Sequence, residues 1–238
     1  MTELDGRKIE LLETIVRDYI KTARPVASAR LVEEYRLPMS SATVRQAMLE
    51  LDRLEYLEQP HHAAGRIPTR NAYRFFVDRL TDGDGDENIP EEFFKQLERA
   101  QDVFAMAVRI IAQKTQNVGL AGSFAQPGSF RFFGLSELFH QPEFIDTEAG
   151  VEFVSALEYI LTDEHALRHL VDDVHASRPR VLIGKENPLK VLRDWSIIVA
   201  PVNDEESGVV AVIGPQRMSY EENIALIAGL ARRIEEMY

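Results

Sequence analysis

A chain of 238 residues can bury a sizeable core and, as a prior, holds two domains. It contains no cysteine, which excludes a disulfide framework and any thiolate-ligated metal. The formal net charge of -12 would argue against nucleic acid if it were evenly spread. It is not: about thirteen Lys/Arg face about twelve Asp/Glu in the first eighty or so residues, so nearly all the negative charge lies beyond them.

The opening stretch MTELDGRKIELLETI carries acids and lysine where a signal peptide has its apolar core. No apolar run approaches the roughly 18 residues of a membrane span. A soluble cytoplasmic protein without membrane association is expected.

Residues from about Asp5 to Ala23 read as a first helix, with Ile9, Leu12, Ile15, Val16, Tyr19 and Ile20 on one stripe. Arg24-Pro25-Val26 ends it, and Ser28 is placed to cap a short helix, Ala29 to Tyr35, with Leu31, Val32 and Tyr35 turned inward. Arg36-Leu37-Pro38-Met39 is then a turn, because proline removes a donor and fixes φ.

Ser40 or Ser41 can cap the third helix, since a hydroxyl there accepts one of the N–H groups left unpaired at a helix start. Val44, Met48 and Leu51, with Ala47 and Leu54, make its apolar face. Ser41, Thr43, Arg45 and Gln46 point elsewhere at its amino end. A recognition helix enters the major groove by that end, where Arg pairs bidentately with guanine, Gln with adenine, and Ser or Thr with phosphate. Tyr56 to Gln59 alternates like a short strand, His61 to Arg66 forms a glycine-containing tip, and Ile67-Pro68-Thr69 returns. Three helices and a hairpin in about 65 residues predict a winged helix-turn-helix.

Thr81 to Asn88 is a polar, acidic linker. A calcium loop starting at Asp82 would need glycine and glutamate where Glu87 and Phe93 stand, so no metal is expected there. From Pro90 one long helix is predicted to run to about Gln116. Strands follow at Val118 to Phe124 and Phe130 to Leu135, and then two helices at Glu148 to Leu161 and Asp163 to Ser177. Three further strands are predicted at Arg180 to Ile183, Trp195 to Val202 and Val209 to Ile213, with a last helix from Tyr220. The predicted class is α+β: a DNA-reading domain over 1–80, a linker over 81–89, and a second domain over 90–238 with a mainly antiparallel sheet.

His165, His169 and Asp172 share one helical face, yet no further ligand at a diagnostic spacing accompanies them. No motif such as G-x-S-x-G places a serine on a strained turn. Neither a catalytic site nor a cofactor is expected.

Ser40-Ser41-Ala42-Thr43-Val44-Arg45, Tyr56 to His61, Ala64 to Thr69 and Tyr73-Arg74-Phe75 resemble the signature stretches of HrcA, the bacterial heat-inducible transcription repressor family. The resemblance continues through Asn117-Val118-Gly119, Phe133 to Phe144, Ile183 to Leu189 and Ile213 to Tyr220. It implies a repressor that sits as a homodimer on double-stranded, inverted-repeat operator DNA upstream of chaperone operons. It also implies a marginally stable active state kept folded by the GroE chaperonin and lost on heating. By the same resemblance Ser41, Thr43, Arg45 and Gln46 face bases or phosphates, His61, Gly65 and Arg66 form the wing, and the second domain is GAF-like. Family members are substantially longer, and this chain looks like a trimmed form without their inserted dimerisation domain, the missing part falling between Val118 and Phe133. The readings from other classes are a ligand-responsive sensor, or a non-repressing paralogue whose winged helix contacts protein.

Overall fold

The computed structural model describes residues 4–61, 64–80, 90–126, 128–144, 147–171, 179–202 and 208–237. The chain divides into two compact units, Met1–Asp82 and Gly83–Tyr238. The predicted linker lies outside the described residues.

In the first unit, the Asp5 carboxylate accepts the Lys8 backbone N–H at 2.9 Å and starts α1, Gly6–Thr22. Ala23, at φ 52°, ends it in the left-handed region. Helix α2 spans Ser28–Tyr35 and α3 spans Ser41–Arg53. Two expectations change here. Ser28 does not cap α2, whose start has no side-chain cap; its hydroxyl instead meets that of Ser41 at 3.2 Å. Tyr35 is partly exposed rather than turned inward, with only its phenol tip reaching the buried Asp18, to whose Oδ1 it donates at 3.2 Å.

Strands β1, Leu57–Glu58, and β2, Ile67–Pro68, pair antiparallel with Leu57 opposite Pro68. Thr69 closes the hairpin, its hydroxyl donating to the Glu55 carbonyl at 2.6 Å, and α4, Arg70–Leu80, follows. Leu11, Leu12, Ile15, Val16, Leu31, Val44, Met48, Leu51, Tyr73 and Phe76 are all buried and form the core of this unit. Each such side chain contributes about 1.5–3 kcal/mol relative to exposure.

The second unit opens with α5, Glu91–Glu98, and α6, Val103–Thr115, in place of the single long helix predicted from Pro90. The interruption has a local cause. Asp102 is extended, and its carboxylate accepts the Ala105 N–H at 2.9 Å, so it starts a new helix rather than continuing the old one.

Next come β3, Val118–Ser123, β4, Arg131–Phe133, and a short helix α7, Leu135–Leu138. Helices α8, Thr147–Thr162, and α9, Glu164–Val171, follow; the rest of the predicted second helix lies outside the described residues. Strands β5, Arg180–Ile183, β6, Trp195–Val202, and β7, Gly208–Pro215, lead to α10, Tyr220–Glu235. The five strands form one sheet in the order β4-β3-β7-β6-β5, antiparallel throughout. The class is therefore α+β with an antiparallel sheet.

Both central strands, β6 and β7, are buried along all eight residues. This explains why they read as unbroken apolar runs rather than alternating ones: each of their faces is covered. On one face Ile197, Val199, Val209, Ala211 and Ile213 pack with Phe153 and Leu157 of α8 and Leu167 and Leu170 of α9. Trp195 closes this side, stacked on Phe144 with ring centroids 5.0 Å apart. On the other face α6 and α10 pack, and Ser196 meets Tyr220 of α10 hydroxyl to hydroxyl at 2.9 Å.

Three stretches noted in the sequence meet beside this sheet. Arg217 donates to both oxygens of Glu143, at 2.7 and 3.0 Å, and to Gln141 at 3.3 Å, while Gln141 donates to Asn117 Oδ1 at 3.1 Å. A bidentate arginine so placed fixes the segment carrying Phe144 against the end of β7.

Candidate nucleic-acid interface

The amino end of α3 is built by Ser40, whose hydroxyl accepts the Thr43 N–H at 3.1 Å and lies 2.9 Å from the Thr43 hydroxyl. With Val44, Met48 and Leu51 buried beneath, Thr43, Arg45 and Gln46 are exposed on the opposite side. Ser41 is half-buried, its hydroxyl engaged with Ser28. Three of the four predicted helix residues are thus exposed, and the fourth joins α3 to α2.

Further along α3, Glu50 pairs with Lys8 of α1, Nζ to Oε2, at 2.8 Å, and Lys8 also lies 3.2 Å from Asp5. The Lys8 ammonium holds the Glu50 carboxyl below its ordinary value, and Glu50, followed by Asp5, raises the lysine. Both groups are therefore charged across the neutral range.

The predicted wing residues separate. His61 is exposed at the tip, its carbonyl accepting from Ala64 N–H at 2.9 Å. Gly65 and Arg66 turn inward. Val26 and Arg66 exchange both backbone hydrogen bonds, at 2.8 and 2.9 Å, so the loop after α1 adds a third edge to the hairpin. A Cβ on Gly65 would stand 2.5 Å from the Val26 carbonyl carbon and closer still to its oxygen, which excludes any side chain there. The Arg66 guanidinium donates to Asp52 of α3 at 2.8 Å and its side chain is only 12% exposed. Arg66 thus ties the hairpin to the helix. His62 and Ala63 lie outside the described residues.

Beneath α2, Asp18 is fully buried, and its carboxylate accepts from Arg30 through both guanidinium nitrogens and from Tyr35. Burial, followed by the Asp18 charge, raises the Tyr35 phenol. Sequence reading missed Asp18, Lys8, Glu50 and Asp52, which look like ordinary polar positions on amphipathic helices. A signal existed only for Asp18, which falls on the apolar side of α1 beside Ile15.

His165 and His169 are both exposed on α9, and Asp172 lies outside the described residues. Among the described residues no group of three or more His, Asp or Glu could hold a metal ion. No helix among them is long and apolar enough to cross a membrane.

The family profile described as the HrcA protein C terminal domain matches residues 39–224. It begins at the turn before α3, so α3 and the hairpin fall within it. The chain belongs to the HrcA family, whose relatives matched here are named heat-inducible transcription repressors. Over 211 residues it is 33% identical to the heat-inducible transcription repressor HrcA of Rhodococcus jostii, covering 86% of this chain and 59% of that one. Over 121 residues it is 41% identical to that of Acidothermus cellulolyticus, covering 49% and 36%. The chain thus spans about six-tenths of the first relative or less. With the HrcA of Natranaerobius thermophilus it is 25% identical over 335 positions, covering 97% of this chain and 96% of that one. That span exceeds the 238 residues here, so this relative carries additional sequence within it. A solved structure, a hypothetical protein at 2.2 Å resolution, shares the fold with a TM-score of 0.81 at 19% identity, over 98% of each chain.

Proposed function

We propose that this chain is a sequence-specific, DNA-binding repressor of heat-shock genes. In this reading residues 1–80 are a winged helix-turn-helix and residues 90–238 a trimmed GAF-like domain that brings two readers together in the cytoplasm. The carrying observation is the exposed trio Thr43, Arg45 and Gln46 at the amino end of a helix whose other face is buried. Membership of a family whose relatives are named heat-inducible transcription repressors supports the same reading.

Roles follow from chemistry. Arg45 reads guanine with its planar fork, Gln46 reads adenine, and Thr43 holds a phosphate. Ser41 sets the helix on its neighbour, His61 reaches the backbone from the tip, and Gly65 with Arg66 seats the wing. A competition gel shift on an inverted-repeat operator tests this. Arg45→Ala should lose about 1–3 kcal/mol of preference at one base pair per half-site. Thr43→Ala should weaken binding to all sequences alike and flatten its salt dependence. If Arg45→Ala leaves specific binding unchanged, Arg45 is not a reader; if the folded wild type shifts no DNA, a protein-contacting role replaces this one. The same assay run up a temperature series tests heat release, and a repressor that stays on its operator well above growth temperature overturns it. Recovery by added GroE chaperonin is the expected companion result.

Because one half-site offers only a few such contacts, two must be read together, and a homodimer is part of the proposal. The reading assigns the contact to the sheet edge at β4, where Phe132 and Phe133 are 42% and 40% exposed. An unpaired edge strand with aromatic side chains is a ready template for a second copy. Phe132→Glu should convert a micromolar dimer to monomer in sedimentation, with the fold retained. A wild type that sediments as a monomer with operator present removes the dimer.

A further inference from the structure

Thr14, Thr22, Thr115 and Thr162 each turn the hydroxyl back on their own helix, donating to the carbonyl four residues earlier at 2.8 Å. Thr43 does not follow them. Its hydroxyl lies 2.9 Å from that of Ser40, whose oxygen also accepts the Thr43 N–H at 3.1 Å. Thr43 is the third residue of α3, so the carbonyl four back is that of Met39, ahead of the helix. In a helix threonine divides between two χ1 rotamers because its hydroxyl can bond such carbonyls. Ser40, extended and exposed like Thr43, offers another partner and holds the hydroxyl at the surface, away from the buried Val44 and Met48.

The direction of the proton follows from the partners. A hydroxyl has one proton to give and two lone pairs to receive with. Ser40 already receives the Thr43 N–H. Giving its own proton to Thr43 Oγ1 lets it accept one bond and donate one, an order in which neighbouring bonds strengthen each other. Thr43 then keeps its proton for an outside acceptor. A phosphate oxygen only accepts, so when it binds Thr43 the 2.9 Å contact can persist only with Ser40 as donor. The bond to phosphate is charge-assisted, and because its donor is turned outward before DNA arrives, less rotamer freedom is lost on binding.

We infer that Ser40, beyond capping α3, is a positioning residue that holds the Thr43 hydroxyl outward with its proton free for a DNA phosphate. This rests on the DNA-binding role proposed above. The test is a gel shift at fixed salt on operator and on random duplex, with a thermal melt of each protein, using wild type, Thr43→Val, Ser40→Gly, the double variant and Ser40→Thr. Thr43→Val keeps the branched shape and loses the hydroxyl. Glycine is nearly as good a cap as serine, so Ser40→Gly should melt within about two degrees of wild type. It should nonetheless weaken binding to both DNAs about threefold to tenfold per subunit, the worth of one hydrogen bond, with base-pair preference unchanged. In the Thr43→Val background the same change should weaken binding no further, because the two act through one hydroxyl. Ser40→Thr, which keeps both the cap and a proton to give, should recover most of what glycine loses. Unchanged affinity in Ser40→Gly, losses that add in the double variant, or no recovery with Ser40→Thr overturns the inference and leaves the proposed function standing. A Ser40→Gly protein that melts far below wild type reduces Ser40 to its cap and overturns the inference as well. No effect of Thr43→Val removes Thr43 as a phosphate contact and the inference with it, while Arg45 can still read. Absence of any specific binding by wild type overturns the proposed function itself.

Discussion

Gly65→Ala is expected to destabilise the first unit by about 3 kcal/mol, combining overpacking against rigid backbone with loss of two exchanged hydrogen bonds. The added methyl meets no flexible side chain that could yield: its neighbours are the carbonyl group of Val26 and the carbonyl carbon of Pro25, the latter at 2.9 Å. Relief requires the 25–26 backbone to leave Arg66, and with it both halves of the Val26–Arg66 bridge. The hairpin would then be held to the helices by the Arg66–Asp52 pair and the Thr69 bonds. Trp195 is the single tryptophan and sits in the second unit, so its fluorescence should unfold as in wild type while far-UV circular dichroism shows an early transition. A wild-type unfolding curve by both probes would show that the loop moves freely and that the bridge matters little.

Arg30→Met is expected to cost about 3 kcal/mol, the lower end for leaving a buried charge without its partner, because Tyr35 still donates to Asp18. The converse change is milder. Asp18→Asn leaves Arg30 facing water, since 35% of that side chain is exposed and Glu34 lies 3.2 Å away, and should cost about 1–2 kcal/mol, the scale of a charged hydrogen bond. Urea unfolding measures both, and a loss of about 3 kcal/mol moves the midpoint down by between one and three molar at ordinary slopes. The ordering is the sharper readout: Asp18→Asn proving worse than Arg30→Met would mean that Asp18 holds α1 to α2 by something other than its charge. Because α2 carries Ser28, and Ser28 engages Ser41, either change should also loosen the seat of α3 and weaken DNA binding.

Local signals in the chain were enough for the elements that can be decided within a few residues. Ser40, one of the two serines offered as a cap, precedes an apolar periodic run and proves to be the cap of α3, while Asp5, read as the start of the first helix, proves to be its cap. The strands Trp195–Val202 and Arg180–Ile183 were legible because β-branched and apolar runs of that length, bounded by polar turns, have few alternatives. The break between α5 and α6 was not, since Ala100 to Asp102 keeps the helical spacing of its neighbours and the capping aspartate resembles any surface acid. Ser28 misled for the related reason that a good capping residue next to a helix start has other uses when a partner arrives from elsewhere in the chain.

What the sequence determined by itself is most of the elements and their order, and the presence of Thr43, Arg45 and Gln46 at one helix start, all properties of caps, periodicity and residue type. What only the tertiary structure decided is the employment of the remaining polar residues. Lys8 meets Glu50 from another helix, Asp18 meets Arg30, and Asp52 meets Arg66, and nothing local marks the members of a pair as belonging together. Gly65 shows the same division: composition offers a flexible tip, whereas the fold brings the Val26 backbone so close that glycine is required by space and not by φ. Through-space contact, which sequence spacing does not encode, decides which arginine is left facing outward, as Arg45 is, and which ties elements together, as Arg30 and Arg66 do.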